Sequence, residues 1–271
     1  MERFDSTTLK LSTIDTPATW AQCLSFIDLT SLNATDTPEK ISAMAEKVNR
    51  FPAAFPGVPH VAAICVYPAL VPAVKQSLQL PGVQIAAVGA GFPASQTFIE
   101  VKCDECKRAV DAGAHEIDIV ISLGTFLAGN HNRVQEEIGK IKAAIGHAHL
   151  KVILETGALT PEQIHAASQI AIEAGADFIK TSTGKMEPAA TPEAAWIMAH
   201  AIKAHYVKTG KKTGLKPAGG IVTAADALVY YAIVKEVLGD EWLTPSLFRL
   251  GASRLANNLL TGLLKTDIKY F

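Results

Sequence analysis

A chain of 271 residues, 49% hydrophobic and 19% charged, is long enough to bury a large core and too apolar to stay disordered. With 25 Lys and Arg against 26 Asp and Glu, it has no field of one sign to gather nucleic acid or an anionic membrane, so any bound anion must be held locally. No stretch has signal-peptide or membrane-spanning character, and Cys23, Cys65, Cys103 and Cys106 are too few and too unevenly placed for a disulfide framework; a soluble cytoplasmic protein with reduced thiols is the expectation.

Eight short runs rich in Val, Ile and Leu follow one another, each trailed by an amphipathic stretch of helical length. They are Leu24–Leu29, Val61–Val66, Ile85–Val88, Glu116–Ile121, Lys151–Glu155, Phe178–Thr181, Gly214–Lys216 and Leu247–Leu250. Continuous apolar strands suit a parallel sheet covered by helices. Thr37-Pro38-Glu39, Thr160-Pro161-Glu162 and Thr191-Pro192-Glu193 each place a capping hydroxyl before Pro and an acid in the first turn, and Gly113 and Gly175 end helices just ahead of strands. Eight strand–helix pairs predict a (β/α)8 barrel rather than an open doubly wound sheet, because Gly89-Ala90-Gly91-Phe92-Pro93 breaks the dinucleotide fingerprint with a proline where a helix should open. One domain is expected over residues 1–271, with a short N-terminal extension over about 1–20 and a flexible tail over about 266–271. Cys103-Asp-Glu-Cys106 spells C-x-x-C, but inside a helical stretch and without a second pair to complete a zinc site.

Polar residues inside the strands carry the chemistry. Asp28 ends the first strand and Asp118 interrupts the fourth, each between apolar neighbours, and a buried carboxylate needs a cationic or hydrogen-bonding partner. Lys151, Lys180 and Lys216 lie on the fifth, sixth and seventh strands. They can serve simply as structural counter-charges. Two lysines ending neighbouring strands nevertheless disfavour each other's protonation, and a lysine pushed toward neutrality is a nucleophilic amine that forms a Schiff base with a carbonyl. Asp118 with the second lysine and water then shuttles protons. Strand position alone does not rank Lys180 above Lys216. A phosphate site is indicated by Thr183-Gly184-Lys185, Gly219-Gly220 and Gly251-Ala252-Ser253, which offer unhindered N–H groups after the last three strands, where barrels often bind phosphate.

Seven segments in order resemble the deoxyribose-phosphate aldolase family. They are Ile27-Asp28-Leu29-Thr30-Ser31-Leu32, Ala63-Ile64-Cys65-Val66-Tyr67-Pro68, Gly91-Phe92-Pro93, Glu116-Ile117-Asp118, Lys151 to Gly157, Asp177 to Gly184 and Lys216 to Gly220. The resemblance implies reversible cleavage of 2-deoxyribose 5-phosphate to glyceraldehyde 3-phosphate and acetaldehyde in deoxynucleoside breakdown, with no metal or organic cofactor. It implies Lys180 as the Schiff-base lysine, Lys216 as the lysine that tunes it, Asp118 as the proton-relay acid, and Asp28, Cys65 and Lys151 as further pocket positions. Two departures bear on phosphate: Ile221-Val222 stands where many members have Val-Arg, and Arg254 stands where a small polar residue is common. Tyr270 corresponds to a C-terminal tyrosine thought to reach the active site in related enzymes. The expected partners are small-molecule sugar phosphate and aldehyde, with half-buried surface helices available for a homodimer. Competing readings are another class I aldolase taking an unphosphorylated aldehyde, a metal-dependent enzyme, for which His60, His115 and His165 stand singly, and a non-catalytic sugar-phosphate-binding barrel.

Overall fold

The computed structural model describes residues 4–271. Helices α1 (Leu11–Ile14) and α2 (Pro17–Ser25) precede the barrel, whose strands are β1 (Ile27–Thr30), β2 (Ala63–Val66), β3 (Gln84–Gly89), β4 (Glu116–Val120), β5 (His149–Ile153), β6 (Phe178–Lys180), β7 (Gly214–Lys216) and β8 (Leu250–Ala252). Alternating with them are α3 (Pro38–Ala54), α4 (Val71–Ser77), α5 (Ile99–Asp111), α6 (Leu123–Leu127) with α7 (His131–Ala144), α8 (Pro161–Glu173), α9 (Pro192–Thr209), α10 (Ala224–Val237) and α11 (Leu255–Leu264). All strand pairs are parallel in the order β7-β6-β5-β4-β3-β2-β1-β8. Isolated bridges Leu215↔Phe248 and Ala218↔Gly251 join β7 to the β8 segment and close the (β/α)8 barrel.

Local chemistry starts the helices. Thr37, Thr160 and Thr191 accept from the N–H groups of Lys40, Gln163 and Ala194, and Gln163 returns the bond to complete a capping box. Gly113 and Gly175 take φ of 116° and 99° at the joints leading into β4 and β6, where a side chain would be strained. The predicted Leu24–Leu29 strand begins later, because Leu24 and Ser25 finish α2. The predicted Lys151–Glu155 strand stops at Ile153, since Glu155 turns to φ 57°. The last strand lies three residues beyond Leu247, since Phe248 makes only a single bridge to β7.

The large apolar cluster fills the space between sheet and helices, while a small one of Leu32, Ala63, Cys65, Ala86 and Val88 lies within the barrel beside β1–β3. The remaining interior is occupied by charge. Asp28, Glu116, Asp118, Lys151, Lys180, Lys216 and Arg249 are all buried, none more than 3% exposed. Phe178 floors this group, with Lys151 Nζ and the Arg249 guanidinium over its ring at 5.9 and 5.7 Å. Gly214 is required opposite it, because a Cβ there would collide with the Phe178 ring.

Candidate active site

The period of two along β4 sends Glu116 and Asp118 to the same interior face, and the parallel register sets Asp118 opposite Lys151 and Lys180 opposite Lys216. Lys180 donates to Asp118 Oδ2 at 2.8 Å, and Lys216 donates to the same oxygen at 2.7 Å. Lys216 also pairs with Asp28 Oδ2. Lys151 donates to Glu116 at 2.5 Å and Asp118 Oδ1 at 3.1 Å, with Asp28 at 3.7 Å. Arg249 grips Glu116 with two nitrogens, at 2.8 and 3.1 Å, and Asp28 at 2.6 Å.

These contacts separate the three amines. Burial disfavours the charge on each, but carboxylates answer it unequally. For Lys216, Asp118 and Asp28 together outweigh burial and hold the ammonium well above its ordinary range. For Lys151, Asp118 and Glu116 also outweigh burial and raise its affinity for a proton. Lys180 has Asp118 alone among the carboxylates, with the Lys216 charge opposing it, so burial prevails and its affinity for a proton falls below that of an ordinary lysine. Asp118 is held well below the usual carboxylate range despite its burial, by the charges of Lys151, Lys180 and Lys216. Of the two lysines that strand position left unranked, Lys180 is the less compensated, with one carboxylate in contact against two for Lys216. Lys180 is also the one of them that reaches the mouth cavity.

That cavity, of about 280 Å3, opens beyond the C-terminal ends of β6, β7, β8 and β1. It gathers Thr183, Gly184 and Lys185, then Gly219 and Gly220, then Gly251, Ser253 and Arg254, around Lys180. Gly184, Gly219 and Gly220 have φ of 74°, 84° and 77°. At Gly219 the requirement is also steric, since a Cβ would lie 2.7 Å from that of Ala189. Glu155, turned inward by its left-handed backbone, accepts from Thr183 N and Oγ1 at 3.1 and 2.5 Å, and Thr183 Oγ1 in turn accepts from Lys185 N. Lys185 Nζ crosses the opening to donate to the Leu32 carbonyl at 2.6 Å. Val222 and the exposed Arg254 also line the cavity, Arg254 as a second cation beside Lys185.

Cys65 lies beneath the mouth inside the barrel; burial pushes its thiol up, more than the nearby Lys216 lowers it. Tyr270 is placed away from the cavity, contrary to its expected role: its hydroxyl donates to the Lys47 carbonyl on α3, and its ring packs edge-on against Phe51 and Phe55. Apolar contact and the bonds from Tyr270 N and Phe271 N to Asn257 dock this terminus on the barrel's flank. Glu116 and Arg249 were missed as site residues, although Glu116 is two positions from Asp118 and Arg249 interrupts an apolar run. At the opposite, N-terminal end of the strands, His115, His147 and His149 share a second cavity with these two residues; His115 is therefore not isolated. No group of three or more His, Cys, Asp or Glu side chains has metal-holding geometry among the described residues.

Lysines and a carboxylate converging inside a parallel barrel, beneath a glycine-lined mouth, make a site suited to carbonyl chemistry of the aldolase class. Residues 23–237 match the family model described as DeoC/LacD family aldolase, and the chain belongs to that family. The deoxyribose-phosphate aldolase of Homo sapiens is 43% identical over 255 residues, covering 89% of this chain and 80% of that protein. Its Bos taurus counterpart is 42% identical over 251 residues, covering 88% and 79%. Among solved structures, "QR15, an Aldolase" is 27% identical with a TM-score of 0.73, covering 90% of this chain and 98% of that one. A deoxyribose phosphate aldolase from Aeropyrum pernix, described as a tetramer, shares the fold at TM-score 0.70, 23% identical and covering 95% and 97%.

Proposed function

We propose that this protein reversibly cleaves 2-deoxyribose 5-phosphate to glyceraldehyde 3-phosphate and acetaldehyde, with Lys180 as the covalent nucleophile. The single-carboxylate contact of Lys180, beside two lysines held charged by two or more, carries this reading. The Lys180 amine adds to the C1 aldehyde of the open-chain sugar to give a carbinolamine, and loss of water gives an iminium. Removal of the C3 hydroxyl proton lets the C2–C3 bond break, its electron pair passing into the iminium as an enamine while C3 leaves as the aldehyde of glyceraldehyde 3-phosphate. Protonation of the enamine at C2 and addition of water release acetaldehyde and the free amine. Asp118 within reach of both Lys180 and Lys216 supplies and accepts the protons.

The phosphate is held by backbone N–H groups of Gly184, Gly220 and Ser253 with the charges of Lys185 and Arg254, while Gly219, whose N–H donates to the Gly251 carbonyl, keeps the wall free of a side chain. Arg254→Ala is expected to raise KM for 2-deoxyribose 5-phosphate about tenfold while leaving that for unphosphorylated 2-deoxyribose within about twofold, since only one substrate carries the charge. Steady-state kinetics on both sugars checks this; an equal change in both would remove Arg254 from the phosphate site. The reaction belongs to deoxynucleoside breakdown in the cytoplasm; no helix among the described residues is long and apolar enough to cross a membrane. Pairing into a homodimer is part of the same proposal, and light scattering of the purified protein reads it.

The decisive experiment is incubation with acetaldehyde and borohydride followed by peptide mass spectrometry. A reduced two-carbon adduct on Lys180 is expected. An adduct on Lys216 instead would reverse the two lysines, and a folded protein with no adduct would sink the Schiff-base mechanism.

A further inference from the structure

The strands bring a countable set of charges to the barrel interior. Asp28 comes from β1, Glu116 and Asp118 from β4, Lys151 from β5, Lys180 from β6, Lys216 from β7 and Arg249 from the residue before β8. On β2 the titratable group is the Cys65 thiol, kept neutral by burial, and β3 contributes only Ala86 and Val88 to the inner cluster. Glu155, the further buried carboxylate beyond the strand ends, is taken up by Thr183 N and Oγ1, so within the cluster four cationic side chains face three carboxylates. Fully ionised, the cluster holds one uncompensated positive charge away from water, and it is relieved when one amine gives up its proton.

Arg249 cannot be that group, because its guanidinium stays protonated. Lys151 and Lys216 each contact at least two carboxylates, so the proton leaves from Lys180. Arg249 itself lies at the base of the barrel, where it faces Glu116, Asp28 and, across the second cavity, His115, His147 and His149. It is absent from the mouth where substrate enters. We propose that Arg249 is a positioning residue whose permanent charge, clamped on Asp28 and Glu116, leaves the buried network one cation in excess and so keeps Lys180 an uncharged nucleophile. This rests on the reading of Lys180 as the Schiff-base lysine.

The test follows the pH dependence of iminium formation on Lys180, using acetaldehyde, sodium cyanoborohydride and peptide mass spectrometry on the full-length protein. A unit charge in a shared buried cluster moves a pKa by roughly one unit or more. Arg249→Met, which equalises cations and carboxylates, is accordingly expected to shift the midpoint of adduct formation upward by about one pH unit, with about tenfold less adduct on the acid side. The double variant Arg249→Met, Glu116→Gln removes one charge of each sign, restores the excess, and is expected to return the midpoint to the wild-type pH. A purely structural role would leave the double variant at least as impaired as the single one. If wild type forms no adduct on Lys180, the nucleophile assignment fails; if it does and Arg249→Met has the same midpoint, the Arg249 inference alone is overturned. Should the single variant not fold, a double-variant midpoint displaced by more than about half a unit overturns it equally.

Discussion

Lys180→Ala is expected to reduce kcat for cleavage of 2-deoxyribose 5-phosphate by at least about 10^4-fold while leaving the fold intact. The magnitude follows from loss of the nucleophile, which removes the covalent route altogether. Stability is spared because Lys180 is the least compensated cation of the cluster, and its removal leaves Lys151, Lys216 and Arg249 to balance Asp28, Glu116 and Asp118. Stopped assays with thermal melts on the same preparation check both halves. Residual activity within about tenfold of wild type would mean that another amine carries the chemistry.

Asp118→Asn is expected to fail on both counts. Its carboxylate contacts Lys151, Lys180 and Lys216, so the variant leaves these amines competing for the remaining acids. Breaking one side of a buried pair typically costs about 3–5 kcal/mol, and loss of a proton-transfer group typically costs about 10^2–10^4-fold in rate. The pH signature distinguishes this from a simple packing defect. Because the folded protein holds Asp118 well below the usual carboxylate range, its stabilisation is fully present above about pH 4, the unfolded value, and drains away as pH falls toward the lower folded one. Asp28 is held down in the same way by Lys216, Arg249 and Lys151. Wild type should therefore lose stability steeply below pH 4, and the Asn variant less steeply, by one proton fewer taken up on unfolding. Denaturant titrations between pH 3 and 7 would decide it, with parallel curves for the two proteins counting against the assignment.

The fold was open to reading because the strands are short, mostly apolar runs separated by amphipathic helices, several with threonine caps, and β7 coincides with the expected Gly214–Lys216. The last strand was less so: Leu247 and Phe248 are as apolar as any strand, yet only the bridge to Leu215 joins this segment to β7 before the ladder with β1 begins at Leu250. In the site, Asp28 and Asp118 stood out as charges among apolar neighbours. The same criterion applies to Glu116 and Arg249, whose partners are far apart in sequence and are revealed only by the barrel's closure. The unequal compensation of Lys180 and Lys216 was likewise hidden, because it depends on which amine also reaches Asp28, 188 positions before Lys216. Tyr270 was misplaced because nothing local in a terminal segment says which surface it meets; here Phe51, Phe55 and Asn257 receive it.

The bond between Arg249 and Asp28 spans 221 positions. A ribosome that has finished seven strands has thus made every lysine of the cluster but not the guanidinium that ties its two ends together. Until the eighth strand emerges, the growing chain has equal numbers of these cations and acids and an open seam where β7 should meet its last neighbour. Barrel closure and the last ion pairs of the buried cluster therefore wait together on one late residue, so the seam and the charge network are completed in the same step.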